Sequence, residues 1–138
     1  MRKELCATEE DVVRAHVRSV LWDVRYYERR LKNEHRYLAL VRGLLERLSY
    51  GEIDENKAKE TYANDDDKES LQSVDELAHW LLGDALYDVK FTETHLACDH
   101  ENLALAKALL GRGNYPFNIA TLTAELVAEE QERERKAA

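Results

Sequence analysis

The sequence predicts an all-α protein, and three features of the 138-residue chain lead to this prediction. Apolar residues recur at alternating steps of three and four over two long stretches, which keeps side chains on one face of an α-helix. Five glycines and one proline leave few sharp turns, so an all-β fold is nearly excluded. A hydrophobic fraction of 44% is enough for a core, and the length suits one helical domain over residues 1–138.

The first long helix is predicted over residues ~9–49. Thr8 can cap its start, acidic residues follow in the first turn, and Gly51 can end it. An apolar seam follows this segment at steps of four and three, and we expect the seam to face the core. Its members are Val13, Val17, Val20, Val24, Tyr27, Leu31, Glu34, Leu38, Val41, Leu45 and Leu48.

A second long helix is predicted over residues ~74–110. Ser73 and Glu76 have the spacing of a capping box, in which each side chain bonds the backbone amide of the other residue, and Gly111 provides the stop. Because the two long helices have similar lengths, we expect them to pack as an antiparallel hairpin. The predicted core positions of the second helix are Ala78, Leu82, Ala85, Val89, Leu96, Leu103, Ala106 and Leu110.

Shorter elements complete the predicted fold. Residues ~51–72 form a connector, in which the spacing of Ile53, Ala58 and Tyr62 indicates a short helix. A shorter C-terminal helix is predicted over ~117–134, with residues 129–136 as a solvated end that forms local ion pairs. Because a hairpin with one short helix leaves apolar surface uncovered, we expect this elongated bundle to be completed by oligomerisation, most simply as a homodimer.

The net charge of −8 is distributed unevenly along the chain. Residues 1–50 contain 11 Lys and Arg against 8 Asp and Glu, whereas residues 51–138 contain 9 against 20. Opposite charges that flank a helical seam set the pairing and orientation of helices. The basic first helix is therefore expected to pack beside the acidic remainder of this acidic protein.

No targeting or membrane segment is predicted. The charged N-terminal residues are followed by no apolar run, so we expect no signal peptide. No window approaches 18 apolar residues, so we expect no membrane span. Cys6 and Cys98 have no spacing typical of a disulfide framework. These features favour a cytoplasmic protein with reduced thiols.

Beside the seam, a second line of residues at the same steps is largely cationic. Its members are Arg14, Arg18, Leu21, Arg25, Arg29, Lys32 and Arg36. We call the six cations, together with the neighbouring Trp22 and Tyr26, the basic stripe. Arg and Trp are frequent at interface hot spots, so the stripe is the predicted binding site for a protein partner.

Two alternatives to a protein partner remain for the basic stripe. Cations interleaved with aromatic rings also suit a nucleic-acid strand, and the protein would then be a small nucleic-acid-binding helical subunit of a larger complex, although the acidic remainder of the chain would repel the strand. Alternatively, the arginines pair with acidic helices of this chain or of a second copy and have a structural role. The second alternative predicts that the guanidinium groups are already bonded to carboxylates in the folded protein.

Glu34 is the only carboxylate in the seam, and a charge at a core position is costly unless it is paired or bound to a metal. With His95, Asp99 and His100 it forms a candidate metal set of the ferritin-like kind. That template needs Glu-x-x-His on two helices, and this chain has it once, at Glu76. A structural role, in which Glu34 pairs with an arginine or fixes the register of the helices, is the stronger interpretation, so no metal or cofactor is predicted.

Two other patterns, a spacing of acidic residues and a cysteine near histidines, have simple structural explanations. Acidic residues between 65 and 76 resemble a calcium loop in spacing, but Ser70 occupies the position that requires glycine, which favours an acidic linker. Cys98 lies near histidines, but carboxylates surround it, so we expect a small buried core residue rather than a nucleophile. With no catalytic residue predicted, the sequence favours a non-enzymatic interaction protein of the adaptor, assembly-factor or inhibitor type.

Overall fold

The computed structural model describes residues 8–48, 53–64, 71 and 73–138. In this part of the chain there are four helices and no strands, and helices make up 89% of the residues. They are α1 (Glu9–Arg47), α2 (Glu55–Asn64), α3 (Val74–Arg112) and α4 (Ile119–Ala137). None of these four helices has an apolar stretch sufficient to cross a membrane. The prediction of an all-α protein is confirmed.

The helices form two compact units, and α1 and α3 contribute to both. The first unit contains the described residues 8–27 and 96–138, and the second unit contains Glu28–His95. The start of α1 therefore packs with the end of α3, and the end of α1 packs with the start of α3. This is the predicted antiparallel hairpin, with α4 as the shorter C-terminal helix. The grouping of the whole chain into one domain stays a prediction.

Two helix starts are capped as the sequence predicts. Ahead of α1, the Thr8 side chain accepts the Asp11 amide and the Asp11 carboxylate accepts the Thr8 amide, both at 3.1 Å. Ahead of α3, the Ser73 hydroxyl accepts the amide of Glu76 at 3.1 Å. These bonds satisfy amides that have no partner inside the helix. The end of α3 differs from the prediction, since the helix runs one residue past Gly111.

The core of the first unit joins three helices. Its buried side chains are Val13, Val17 and Leu21 of α1, Ala106 of α3, and Leu122 and Leu126 of α4. The helical spacing places Leu21 in the same line as the cations of the basic stripe. Only 5% of Leu21 is exposed, however, because α4 packs against that side of α1. α4 begins at a capping box in which Asn118 and Thr121 accept each other's backbone amides at 2.9 Å.

The core of the second unit joins α1, α2 and α3. Its buried side chains are Leu38, Val41, Leu45, Ala58, Ala78, Leu82, Ala85 and Val89. Ala58 belongs to α2, so the short helix indicated in the connector is present. The seam prediction is wrong at Leu48, which is 58% exposed and lies beyond the last residue of α1.

α2 approaches α3 closely at Gly83. A Cβ atom added to this glycine would collide with the backbone carbonyl of Ala58 and would lie 2.7 Å from the Cβ atom of Tyr62. Ala58 itself is fully buried at this contact. The absence of a side chain at Gly83 and the small side chain of Ala58 therefore set the distance between the two helices.

We expect Gly83→Ala to lower the free energy of unfolding by about 1–3 kcal/mol, because the added methyl group forces α2 outward. Gly43 of α1 is the matched control, because nothing lies within 4 Å of a Cβ atom added there. Gly43→Ala should raise the free energy of unfolding by about 0.5–1 kcal/mol through better helix propensity. Urea unfolding measures both values, and equal changes of the same sign would contradict the close contact.

Candidate functional site

The first half of the basic stripe is bonded to α4. Arg14 pairs with Glu125, and Arg18 pairs with Glu129. In both pairs the two residues are 111 positions apart, so α1 and α4 run parallel here. Cations on α1 and carboxylates on α4 recur at the same interval of four residues, and the pairing therefore repeats on successive helical turns.

Arg25 makes the most favourable of these contacts. Its Nε and Nη2 atoms donate to the two carboxylate oxygens of Glu130 at 3.2 and 2.8 Å, a bidentate geometry. The side chains of Arg25 and Glu130 are 30% and 11% exposed. In the Arg14 and Arg18 pairs at least one side chain is more than a third exposed, so water screens them more strongly. Of these three ion pairs, Arg25–Glu130 is therefore expected to contribute most to holding α4 against α1.

These three arginines fit the alternative in which the cations of the stripe pair with acidic helices and have a structural role, since their partners are carboxylates of the same chain. Glu129 and Glu130 were expected in a solvated end that forms local ion pairs. Glu129 is exposed, as expected, but its partner is Arg18 of α1. Glu130 is largely buried against its arginine partner on α1, so the expectation of a solvated residue is wrong there. Local pairing does occur further along α4, where Arg135 contacts Glu132 at 2.7 Å.

The second half of the basic stripe has a different environment. Arg29, Lys32 and Arg36 are exposed. Lys32 and Arg36 form no ion pair with any residue in the described ranges. A nucleic-acid strand is held by several cations that can each meet a phosphate. Since three of the six cations of the stripe already have a carboxylate partner, the structure lends little support to this alternative.

Trp22 and Tyr26 form a stacked pair on α1, in the first unit. Their ring centroids are 5.1 Å apart and their planes differ by 7°. Tyr27 packs edge-on against Tyr26, with 4.9 Å between centroids and 88° between planes. Trp22 and Tyr26 nevertheless remain 39% exposed each. Three contiguous rings therefore give this part of α1 an ordered aromatic surface.

Glu34 is bonded to an arginine, as the structural interpretation predicted. The Nε atom of Arg30 donates to its Oε1 atom at 2.7 Å, while Oε2 is buried and accepts no hydrogen bond within the described part of the chain. Across the hairpin, burial and the negative charges of Asp84 and Glu34 raise the pKa of Asp88 above its ordinary value, and Arg30 opposes the shift. The second unit thus holds a carboxylate cluster that is only partly neutralised.

The other candidate metal ligands have separate environments. His95 stacks on Phe91 with ring centroids 6.4 Å apart. Asp99 is buried, whereas the adjacent His100 is exposed. Among the described residues, no group of three or more His, Cys, Asp or Glu side chains could hold a metal ion. The structure therefore does not bring the four predicted residues into a common site.

Two further expectations concern Cys98 and the acidic linker. Cys98 is exposed, so the expectation of a buried core residue is wrong. Its position in α3 points it away from the core, and its small apolar side chain gave no indication of that direction. The calcium-like spacing falls mostly on residues 65–70 and 72, which lie outside the described residues.

Exposed apolar side chains are the main feature that the sequence interpretation missed. Thirteen large apolar residues in the described part of the chain are 36–68% exposed, and all belong to α1, α3 or the residue after α1. In the second half of α1 they occupy positions 37, 40, 44 and 48, a second apolar line beside the seam. The two parallel lines were visible in the sequence, because both keep the helical step.

Arg25→Glu is expected to loosen α4, because it sets two carboxylates against each other beside Glu130. The free energy of unfolding should fall and amide hydrogen exchange in α4 should rise. Adding Glu130→Arg should restore both, with a coupling free energy of about 1 kcal/mol. Lys32→Glu is the matched control and should change stability by less than about 0.5 kcal/mol. Unchanged exchange in Arg25→Glu would show that this pair does not hold α4.

Comparison with known proteins finds no protein family, curated protein or solved structure that matches this chain. The functional proposal therefore rests on the exposure, charge and geometry of the chain's own side chains. The strongest candidates among them are the stacked aromatic pair of the first unit and the exposed apolar side chains of the long helices.

Proposed function

We propose that the protein is a non-enzymatic helical interaction protein, of the adaptor, assembly-factor or inhibitor type, acting in the cytoplasm. Its first unit binds a protein partner through the Trp22–Tyr26 pair. The observation that carries this proposal is the stacking of the two rings while more than a third of each residue stays exposed. Exposed Trp and Tyr side chains are the commonest anchors at the centre of protein interfaces.

The geometry of the aromatic pair lowers the entropic cost of binding. Ordering a flexible side chain at an interface costs about 0.5–1.5 kcal/mol. Trp22 and Tyr26 are already ordered by their mutual contact and by Tyr27, so a partner binds rings that have little freedom left to lose. The first unit also exposes three further large apolar side chains. These are Val12, Leu105 and Leu109.

The arginines beside the pair have a supporting role in this proposal. Trp22 follows Arg18 by four residues and precedes Arg25 by three, so all three are neighbours on the surface of α1. Because Arg18 and Arg25 are bonded to α4, a partner that used their guanidinium groups would have to displace Glu129 and Glu130. We therefore restrict the proposed binding surface from the whole basic stripe to the aromatic pair. Arg18 and Arg25 have the separate role of binding α4 to α1.

Site-specific cross-linking tests this proposal. A benzophenone amino acid at position 22 should form a covalent adduct with one discrete protein in a nuclease-treated extract of the source cells. The same group at position 128, an exposed site on α4, should form none. In affinity capture, Trp22→Ala/Tyr26→Ala should bind that protein at least about thirtyfold more weakly, since hot-spot truncation costs about 2 kcal/mol or more. Far-UV circular dichroism should remain helical.

Tyr87→Ala is the matched control for the loss of aromatic surface, because Tyr87 is 53% exposed and belongs to the second unit. This variant should retain the partner. Capture that is equally strong with and without the Trp22–Tyr26 pair would contradict the proposal. Capture that depends on intact nucleic acid would also contradict it, because the rings would then be stacking on bases.

A further inference from the structure

The second unit carries an exposed apolar strip. It consists of Tyr37, Leu40, Leu44, Leu48, Val74 and Leu77, which are 36–66% exposed. Three of these residues belong to α1, and Leu48 follows its last residue with its amide donating to the carbonyl of Leu44 at 3.0 Å. The four recur at steps of three and four, so they share one face. Exposed apolar residues on monomers are normally scattered singly, whereas a group of six on one unit is typical of an interface.

The apolar strip lies on the side of the hairpin opposite α2. α2 contacts α1 through the Arg42–Glu55 ion pair, and it contacts α3 at Gly83. With about 100° of rotation per residue, Leu44 lies about 200° around α1 from Arg42, and Val74 lies about 180° around α3 from Gly83. Both long helices therefore turn their exposed apolar residues away from the side that α2 covers.

The two helices that carry the strip have opposite charge. Residues 28–48 of α1 and its end contain six Lys and Arg against three Glu. Residues 74–95 of α3 contain five Asp and Glu against one Lys. The surface is thus self-complementary: it has an apolar centre, a basic helix on one side and an acidic helix on the other.

We propose that the apolar strip binds a second copy of this chain, with α1 of each copy packed over α3 of the other. The second units of the two copies then form an antiparallel four-helix bundle from their parts of α1 and α3, closed by a two-fold axis parallel to these helices. This contact is separate from the proposed Trp22–Tyr26 site, which belongs to the first unit. Oppositely charged helices meet at both halves of the interface.

Two symmetric dimers can bring the apolar strips of two copies together, one with a two-fold axis perpendicular to the helices and one with the axis parallel to them. The charges of the helices favour the second. An axis perpendicular to the helices would stack each α1 on its own counterpart, so that cations would meet cations and carboxylates would meet carboxylates. An axis parallel to the helices avoids this repulsion. It also fixes the register, because a two-fold rotation includes no translation along its axis. Each α1 then meets the α3 of the other copy at the same level as its own.

The contacts within the second unit show which charges this register brings together. Arg30 lies over the ring of Phe91 of α3, with 5.8 Å between its Cζ atom and the ring centroid, and Arg30 and Glu34 also act on Asp88, so these residues lie at similar levels along the hairpin. Arg36 is two residues, about 3 Å, further along α1 than Glu34. The dimer therefore places Arg36 close to Asp88 of the partner subunit, where it meets the incompletely neutralised carboxylates. The leucines nearer the end of α1 meet the start of the other α3.

Analytical ultracentrifugation of the full chain tests the interface. The wild-type chain should be dimeric in the micromolar range, and Leu40→Glu/Leu44→Glu should raise the dissociation constant at least about tenfold while circular dichroism stays helical. Leu105→Glu is the matched control, because Leu105 is 68% exposed in the first unit, and it should leave the dimer intact. A wild-type chain that stays monomeric throughout this range would overturn the proposal, as would equal weakening by Leu105→Glu.

Charge exchange tests the orientation of the two copies. Arg36→Asp and Asp88→Arg should each weaken self-association at least about tenfold. A mixture of the two variants should form a heterodimer, since each altered residue then meets the opposite charge. Failure of two folded variants to associate on mixing would overturn the proposed pairing.

Disulfide cross-linking gives a second measure that does not require Asp88→Arg to fold. One chain carries Leu44→Cys and the other carries Leu77→Cys, both with Cys6→Ser and Cys98→Ser. Mild oxidation should give mainly a mixed dimer that contains one chain of each kind. If Leu44→Cys chains instead link mainly with one another, α1 lies over α1 and the orientation is overturned.

Discussion

A pair of long helices buries only the stripe at which the two helices face each other, and the rest of this structure follows from that limit. α1 and α3 are such a pair, so each compact unit needs another helix to close its core. In the first unit α4 supplies Leu122 and Leu126. In the second unit α2 supplies Ala58, which fits because α3 has no side chain at Gly83. The large exposed apolar residues in the described part of the chain remain on or beside the long helices.

The uneven charge of the chain has a structural use in the first unit. Arginines of α1 meet glutamates of α4 on successive turns, and the bidentate Arg25–Glu130 pair is the least exposed of these contacts. Such partly exposed pairs add modest free energy, but they favour one register of α4 over the alternatives. Apolar burial of Leu122 and Leu126 supplies the attraction, and the charges select the alignment.

Helical periodicity was enough to predict the two long helices and most of the buried positions, because a repeat of 3.5 residues defines one face. The similar lengths of the two helices predicted their antiparallel pairing. Periodicity could not predict Leu21, since the burial of that residue depends on where α4 packs. It could not identify Glu130 as the partner of Arg25, because residues 51–138 contain 20 acidic side chains and spacing does not choose among them. The pairing of Glu34 with an arginine was predictable, because a core carboxylate requires a counter-charge.

The exposed apolar strip shows where pattern alone fails. Leu40 and Val41, or Leu44 and Leu45, have nearly the same hydrophobicity, and each belongs to a line with helical spacing. Only the position of α3 decides which line is buried, and that position is set by the whole hairpin. The same limit applies to Cys98, whose small side chain suited a core position although α3 turns it outward.

Hydroxyl-radical footprinting of the monomer, at concentrations below those at which the proposed dimer forms, tests the central claim most directly, because it measures the exposure of neighbouring residues on one helix. Leu40 is 66% exposed and Leu45 is 5% exposed, so Leu40 should be oxidised much faster than Leu45. In the first unit, Trp22 should be oxidised readily while Leu21 is protected by α4. Similar oxidation of Leu40 and Leu45, after allowance for intrinsic reactivity, would contradict the assignment of the buried and exposed faces of α1.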